Sequence, residues 1–240
     1  MAEATKIDPI WAWSEYKPTK EAPWNLKRVG HLYRRAAFGA NYAELQNGLK
    51  NGPKKSIDAL LRGTSEQMKE FESTCDFMAK TIAEGNNAEQ LSAWGLYRML
   101  LSPHPLREKM TLFWHDHFAT SNAKVANAGY MIQQHRLMYG HALGNFADLL
   151  RKMSYDPAMM IWLDTNDSTK GAPNANYARE LMELFSLGEG EYSEEDIREG
   201  ARALTGYSYD GAEFVFLPDR HDGGAKTILG RSGPFDGEGF

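Results

Sequence analysis

Helix-start signals recur along this chain, and strand periodicity appears only after residue 206. Pro105 is a good first-turn residue. Asn145 with Asp148 and Ser193 with Asp196 have the three-residue spacing of a capped N-terminus, and Asp156 stands immediately before Pro157. The only alternation of strand type is Tyr207-Ser208-Tyr209, a turn at Asp210-Gly211, and Glu213 to Leu217, which together read as a β-hairpin. Chains punctuated in this way fold as mainly α proteins. The expectation is an irregular multi-helix globular domain with a small β-hairpin near the C-terminus.

Further helices are expected over Val29–Phe38, Tyr42–Lys50 and Lys54–Leu61, the last two separated by Asn51-Gly52-Pro53. Thr64 to Asn86 reads as a surface helix and loop, with Phe71, Phe77, Met78 and Ile82 as its apolar positions. Leu91, Trp94, Tyr97, Arg98 and Leu101 mark the next helix, and another runs from about Val125 to Tyr139. Three regions follow from this pattern. Residues 1–28 form an extended Trp- and Pro-rich arm pinned by Trp11, Trp13 and Trp24, residues 29–206 a helical core domain, and residues 207–240 a hairpin with a Gly-rich tail.

Composition removes several classes. The 240 residues carry a net charge of -5 with both signs dispersed, which argues against nucleic acid as a partner. No apolar run approaches the roughly 18 residues of a membrane-spanning helix. The start of the chain lacks the apolar core of a signal peptide, so a cytoplasmic location is expected. Cys75 is the only cysteine, so a metal would have to be held by His, Asp or Glu. Gly-x-Ser-x-Gly, phosphate-loop and dinucleotide motifs are absent, which lowers the standing of serine-nucleophile and nucleotide chemistry.

The stretch Asn174 to Gly188 reads as a helix apolar almost all round, with two carboxylates in its middle. Such a helix is expected to be buried, and burying an unpaired carboxylate is costly. Asn176, Glu180 and Glu183 share one face, which is either a polar site or a set of internal ion pairs. Arg179 stands four residues before Glu183, the spacing of a helical salt bridge. In Trp114-His115-Asp116-His117-Phe118 the two histidines point about 200° apart on a continuous helix, so they can serve one site only if the helix has ended by His115 and the chain is extended. His117 shares the stripe of Leu106, Met110 and Phe113 and is expected to face inward, whereas His115 lies with Glu108, Thr111 and Leu112 nearer the boundary. His221-Asp222 follows the hairpin and adds a third candidate pair.

Several segments together resemble a bacterial family known as domain of unknown function 1800. They are His31 to Gly39, Phe113 to Phe118, Asp156 to Met159, Asn174 to Gly190, Tyr192 to Gly206, and Phe214-Val215-Phe216 with His221, Asp222 and Lys226. The Trp-rich arm is similar to planctomycete-type members. Members of the family are uncharacterised in mechanism, longer than this chain, often exported and often encoded beside another uncharacterised protein. The resemblance therefore implies a truncated, N-terminal portion and a co-encoded protein partner. The family's recurring polar positions fall here on His117, Asn176, Arg179, Glu180, Glu183, His221 and Asp222.

Two functional expectations follow. The first is a hydrolase or oxidoreductase of the His/carboxylate type, dependent on a divalent metal or free of one. In it Glu180, Glu183, His117 and His221 are catalytic, Asn176 and Arg179 bind substrate, and His117, Glu180, Glu183, His221 and Asp222 are the candidate metal ligands. The second is a non-enzymatic scaffold or partner-binding domain whose inner polar groups are structural ion pairs.

Overall fold

Asparagine, aspartate and proline set the helix starts in the computed structural model, which describes residues 8–63 and 65–240. The chain divides into two compact units, Met1–Leu60 and Leu61–Phe240. The division falls inside a helix, where composition gives no sign of it.

In the first unit, helix α1 (Pro9–Ala12) is capped by Asp8, and α2 (Leu26–Ala36) by Asn25, whose side chain accepts from Arg28 N. Helix α3 (Tyr42–Arg62) is broken by a non-helical Gly52 ahead of Pro53, where the sequence puts its breaker. Gly48 lets α2 and α3 approach, since a Cβ there would lie 2.7 Å from Val29 Cγ1. Of the three tryptophans expected to pin the arm, Trp24 does so by donating to Gly48 O at 3.0 Å. Trp11 and Trp13 do not, and Trp13 is 91 % exposed. Residues 1–7 of that arm lie outside the described residues.

The second unit opens with α4 (Ser65–Gly85) and α5 (Ala88–Leu101), the latter capped by Asn87. Thr64, where this helix was expected to begin, lies outside the described residues. Helix α4 buries Phe71, Cys75, Ala79 and Ile82, a three- to four-residue stripe, and leaves Phe77 in solvent. Next come α6 (Pro105–His117), α7 (Asn122–Val125) and α8 (Ala128–His141), and then α9 (Phe146–Met153) and α10 (Pro157–Trp162). The single helix expected over Val125–Tyr139 is split by Ala126, which takes a left-handed φ of 53° and ends α7.

Helix α8 packs against α4, α5, α6, α9 and α10 and is the central element of this unit. The principal core is unusually rich in methionine: Met138, Met153, Met159, Met160 and Met182 are buried beside Phe118, Leu149, Tyr177, Phe185 and Leu204. Flexible thioethers suit the irregular gaps between short helices that meet at many angles.

Helix α11 (Ala175–Glu180) continues without a break into a π-helical segment, Leu181–Ser186, ended by Gly188. Helix α12 (Glu194–Ala203) begins with a complete capping box between Ser193 and Asp196. Strands β1 (Tyr207–Asp210) and β2 (Glu213–Phe216) pair antiparallel with Tyr207 opposite Phe216, as the alternation requires. A second hairpin, β3 (Lys226–Ile228) with β4 (Arg231–Gly233), occupies the segment read as an open tail. Its turn carries Leu229 and Gly230, both at positive φ. The strands are three residues long, too short for periodicity to show.

Two burial patterns differ from expectation. The Asn174 to Gly188 segment is one-sided rather than enclosed: Tyr177, Ala178, Met182 and Phe185 face the core, while Leu184 is 60 % exposed and Leu187 is also exposed. Helix α6 is turned the opposite way from its apolar stripe. Glu108 and Thr111 are buried and Phe113 is exposed, because α5 and α8 supply partners that make the polar face the inner one. Among the described residues no helix is long and apolar enough to cross a membrane.

Candidate functional site

Arg98 on α5 is 3 % exposed, and a guanidinium at that depth needs compensation on every side. It receives it. Its Nη1 and Nη2 donate to both oxygens of Glu72 on α4 at 3.0 and 2.9 Å, the bidentate fork, and its Nε donates to Glu108 Oε1 at 3.0 Å. Three aromatic faces complete the enclosure, with Tyr139, Phe71 and Trp94 at 4.6, 5.3 and 5.4 Å from the guanidinium carbon. Glu108, 1 % exposed, turns its other oxygen toward His135 Nε2 on α8 at 3.6 Å. This is an electrostatic contact longer than a hydrogen bond.

His135 also meets the edge of Trp94, with centroids 4.7 Å apart. Burial lowers its pKa against the opposing pull of Glu108, so the ring is neutral at pH 7. With Nε2 facing the carboxylate, electrostatics favour the tautomer that carries its proton there and leaves Nδ1 an acceptor. That Nδ1 is buried and has no hydrogen-bond partner.

Beside this cluster lies a cavity of about 380 Å³, within the range of small-molecule sites. Leu91, Trp94, Met99, Met131 and Met138 supply apolar wall, and Glu108, Thr111, His115, Thr120, Asn122 and His135 the polar positions. Burial is the chief cause that lowers the pKa of His115. Behind the wall a polar chain runs deeper. The Thr120 hydroxyl donates to Gln134 Oε1, and Gln134 Nε2 donates to Asp156 Oδ2 at 2.8 Å.

Each residue expected from sequence to form one site has its own set of partners. His117 ends α6 among Trp114, Phe118, Phe146 and Phe185, and its Nε2 is paired with the Phe185 carbonyl at 3.2 Å. Glu183 accepts from Tyr192 Oη at 3.0 Å. Arg179 makes a bidentate pair with Glu194 at 2.8 and 2.9 Å. Glu180 is partly exposed, and partial burial and the neighbouring Glu183 raise its pKa. Asn176 is exposed at the start of α11, where its backbone N–H donates to the capping Asn174.

His221 and Asp222 belong to a third place. His221 Nδ1 faces Thr205 O at 2.8 Å, and Asp222 accepts from Arg202 Nε at 2.7 Å, which holds its pKa down at about 2. Beneath them Lys226 is buried with Nζ donating to the Asp222 and Gly224 carbonyls, a strut for the loop. Among the described residues no group of three or more His, Cys, Asp or Glu is placed to share a metal ion.

The reading from sequence missed Glu72, Glu108 and His135. One signal was available: Arg98 stands four residues after Trp94 on the stripe of α5 that faces inward, and a buried arginine demands carboxylates nearby.

The fold and site define a mainly helical domain with a buried Arg/carboxylate/His cluster in the wall of an apolar cavity. Residues 31–240 match the family described as "Protein of unknown function (DUF1800)", and the chain belongs to that family. No curated protein and no solved structure matches it.

Proposed function

We propose that the second unit is an acid–base enzyme acting on a small, mainly apolar substrate in the cavity beside Trp94, with hydrolysis as the reaction. The observation that carries this reading is the Glu108–His135 pair. A buried carboxylate orients an imidazole whose second nitrogen is unpartnered, in a residue that lines a ligand-sized cavity.

In the proposed step the His135 ring shifts to admit water to Nδ1, which is closed to solvent at rest, and Nδ1 takes a proton from that water as the water oxygen bonds to the substrate carbonyl carbon. The proton passes to the leaving group when its bond to that carbon breaks. Glu108 stabilises the imidazolium formed in between, and Arg98 holds Glu108 in place.

The test is hydrolysis of p-nitrophenyl esters of two- to eight-carbon acids by the full chain and by His135→Gln. Expected is turnover that rises with pH as His135 loses its proton and that falls at least 100-fold in the variant, the low end for loss of a general base. No turnover of any ester overturns hydrolysis, and an unimpaired His135→Gln overturns the role of His135.

A second reading is favoured by one observation, the complete enclosure of Arg98 by two carboxylates and three aromatic rings. In that reading the cluster is structural and the domain a binding module. It predicts that His135→Gln alters melting temperature alone.

A further inference from the structure

The two compact units carry opposite charge. Residues 1–60 hold ten lysines and arginines against six aspartates and glutamates, whereas residues 61–240 hold 17 against 26. Charge that is dispersed over the whole chain thus resolves into a basic first unit and an acidic second one.

Helix α2 gathers much of the basic excess on one side. At about 100° per residue, Lys27, Arg28, His31, Arg34 and Arg35 fall within an arc of about 120°, and all five are exposed. The opposite side holds buried Val29 and half-buried Leu32, Tyr33 and Ala36. None of the four lysines and arginines makes an ion pair among the described residues, although exposed cations elsewhere do, as Lys54 does with Asp58 and Arg136 with Asp76. Like charges crowded on one face repel one another, and an anionic partner from outside turns that repulsion into attraction.

The segment ahead of α2 adds an apolar part to the same surface. Ile10 and Trp13 stand three residues apart on α1 and its C-cap, Ile10 is 83 % exposed and Trp13 more so, and Trp11 is also in solvent. The Arg28 guanidinium carbon lies 5.1 Å from the centroid of the Tyr16 ring, which ties the arm to the basic face. Three residues span at most about 11 Å, so Trp13 stands close to that tie. Indoles settle at the headgroup level of a bilayer, aliphatic side chains enter beside them, and Lys and Arg meet anionic headgroups. Ile10 separates a lipid surface from a nucleic acid, because indoles can stack on bases while an isoleucine cannot.

We propose that this face of the first unit docks on a membrane containing anionic phospholipids, with Ile10, Trp11 and Trp13 entering the headgroup layer and Lys27, Arg28, Arg34 and Arg35 lying on the phosphates. Attachment is peripheral and reversible, since three apolar side chains bury too little to hold a chain permanently. The surface lies in the first unit and is independent of the chemistry proposed for the cavity of the second.

The experiment is co-sedimentation of the full chain with vesicles of phosphatidylcholine alone and of phosphatidylcholine with about 30 % phosphatidylserine, in about 0.1 M salt. Expected is at least tenfold tighter binding to the anionic vesicles, with a blue shift of tryptophan emission, and a fall of at least tenfold when the salt is raised to about 0.5 M. Lys27→Glu combined with Arg35→Glu should weaken that binding at least tenfold. Trp11→Ala combined with Trp13→Ala should weaken it at least threefold and abolish the blue shift. All four positions are exposed, so the melting temperature of each variant should match that of the natural chain.

Equal binding to both kinds of vesicle, or binding to neither, overturns the proposal. So does anionic-vesicle binding that survives in either variant. A fluorescent single-stranded oligonucleotide serves as the competing polyanion, and an oligonucleotide bound more tightly than the anionic vesicles assigns the face to nucleic acid instead.

Discussion

Asp156 is the N-cap of α10 and almost wholly buried, and replacing it by asparagine isolates the energetic effect of its charge. Its Oδ2 accepts from Met159 N and from Gln134 Nε2, both at 2.8 Å, while Oδ1 is buried with no partner. Burial pushes its pKa up from 3.8 to about 6, although the bonds from Met159 and Gln134 pull it down. The folded protein therefore holds a proton between those two values that the unfolded chain releases. The sign follows directly. Stability from this group is complete below pH 3.8 and is lost as pH rises toward 6, the opposite of a salt-bridged aspartate.

A shift of roughly two pKa units at about 1.4 kcal/mol each gives about 3 kcal/mol by pH 7.5. Asparagine keeps an acceptor for the cap and for Gln134 but cannot ionise. Urea unfolding of both proteins at pH 4 and pH 7.5, followed by near-ultraviolet signal from the second unit, measures the effect. The stability of Asp156→Asn relative to the natural chain should improve by about 2.5 kcal/mol between the two pH values, since part of the effect is already present at pH 4. A difference that stays constant to within about 0.5 kcal/mol refutes the argument, because it means that the carboxylate is solvated or paired in the folded state.

Three further outcomes are expected. Arg98→Leu should cost about 3–5 kcal/mol in denaturant unfolding by stranding Glu108, and the double change Arg98→Leu with Glu108→Leu should recover at least half of that; a single-variant cost below about 1 kcal/mol contradicts the buried-pair account. Gly206→Ala should lower the melting temperature by several degrees, since Gly206 has φ +84° and a Cβ would sit 2.7 Å from Leu217 O; an unchanged melt would show that the hairpin base can relax. Cys75 is buried and its thiol is pushed up to about 11, chiefly by burial, so Ellman's reagent at pH 8 should label it only when the chain unfolds; prompt labelling of the native protein would mean that α4 opens readily.

The local grammar of the chain carried over into structure where a single residue type decides the backbone. Ser193 with Asp196 makes its capping box, Asn145 accepts from Asp148 N, Asp156-Pro157 starts α10, and Asp210-Gly211 belongs to the first hairpin. These signals act within four residues, so the sequence alone specifies them. The second hairpin was invisible because three-residue strands have no period to detect.

The site followed a different rule. Glu180 and Glu183 drew attention as carboxylates in an apolar segment, yet that segment is covered on one side only and Glu183 pairs with Tyr192. Glu108 and His135 looked ordinary on helices α6 and α8, and the packing of those helices with α4 and α5 made them interior.

By itself, then, the sequence determined that this chain is mainly helical, where most helices begin, and that it belongs with the DUF1800 family. Only the tertiary structure decided which face of α6 turns inward and which histidine meets a carboxylate. The physical reason is range: capping and turn chemistry are satisfied by neighbours along the chain. The interior of Arg98, Glu72, Glu108 and His135 is assembled from four helices, and the burial that gives those charges their meaning exists only once all four have packed.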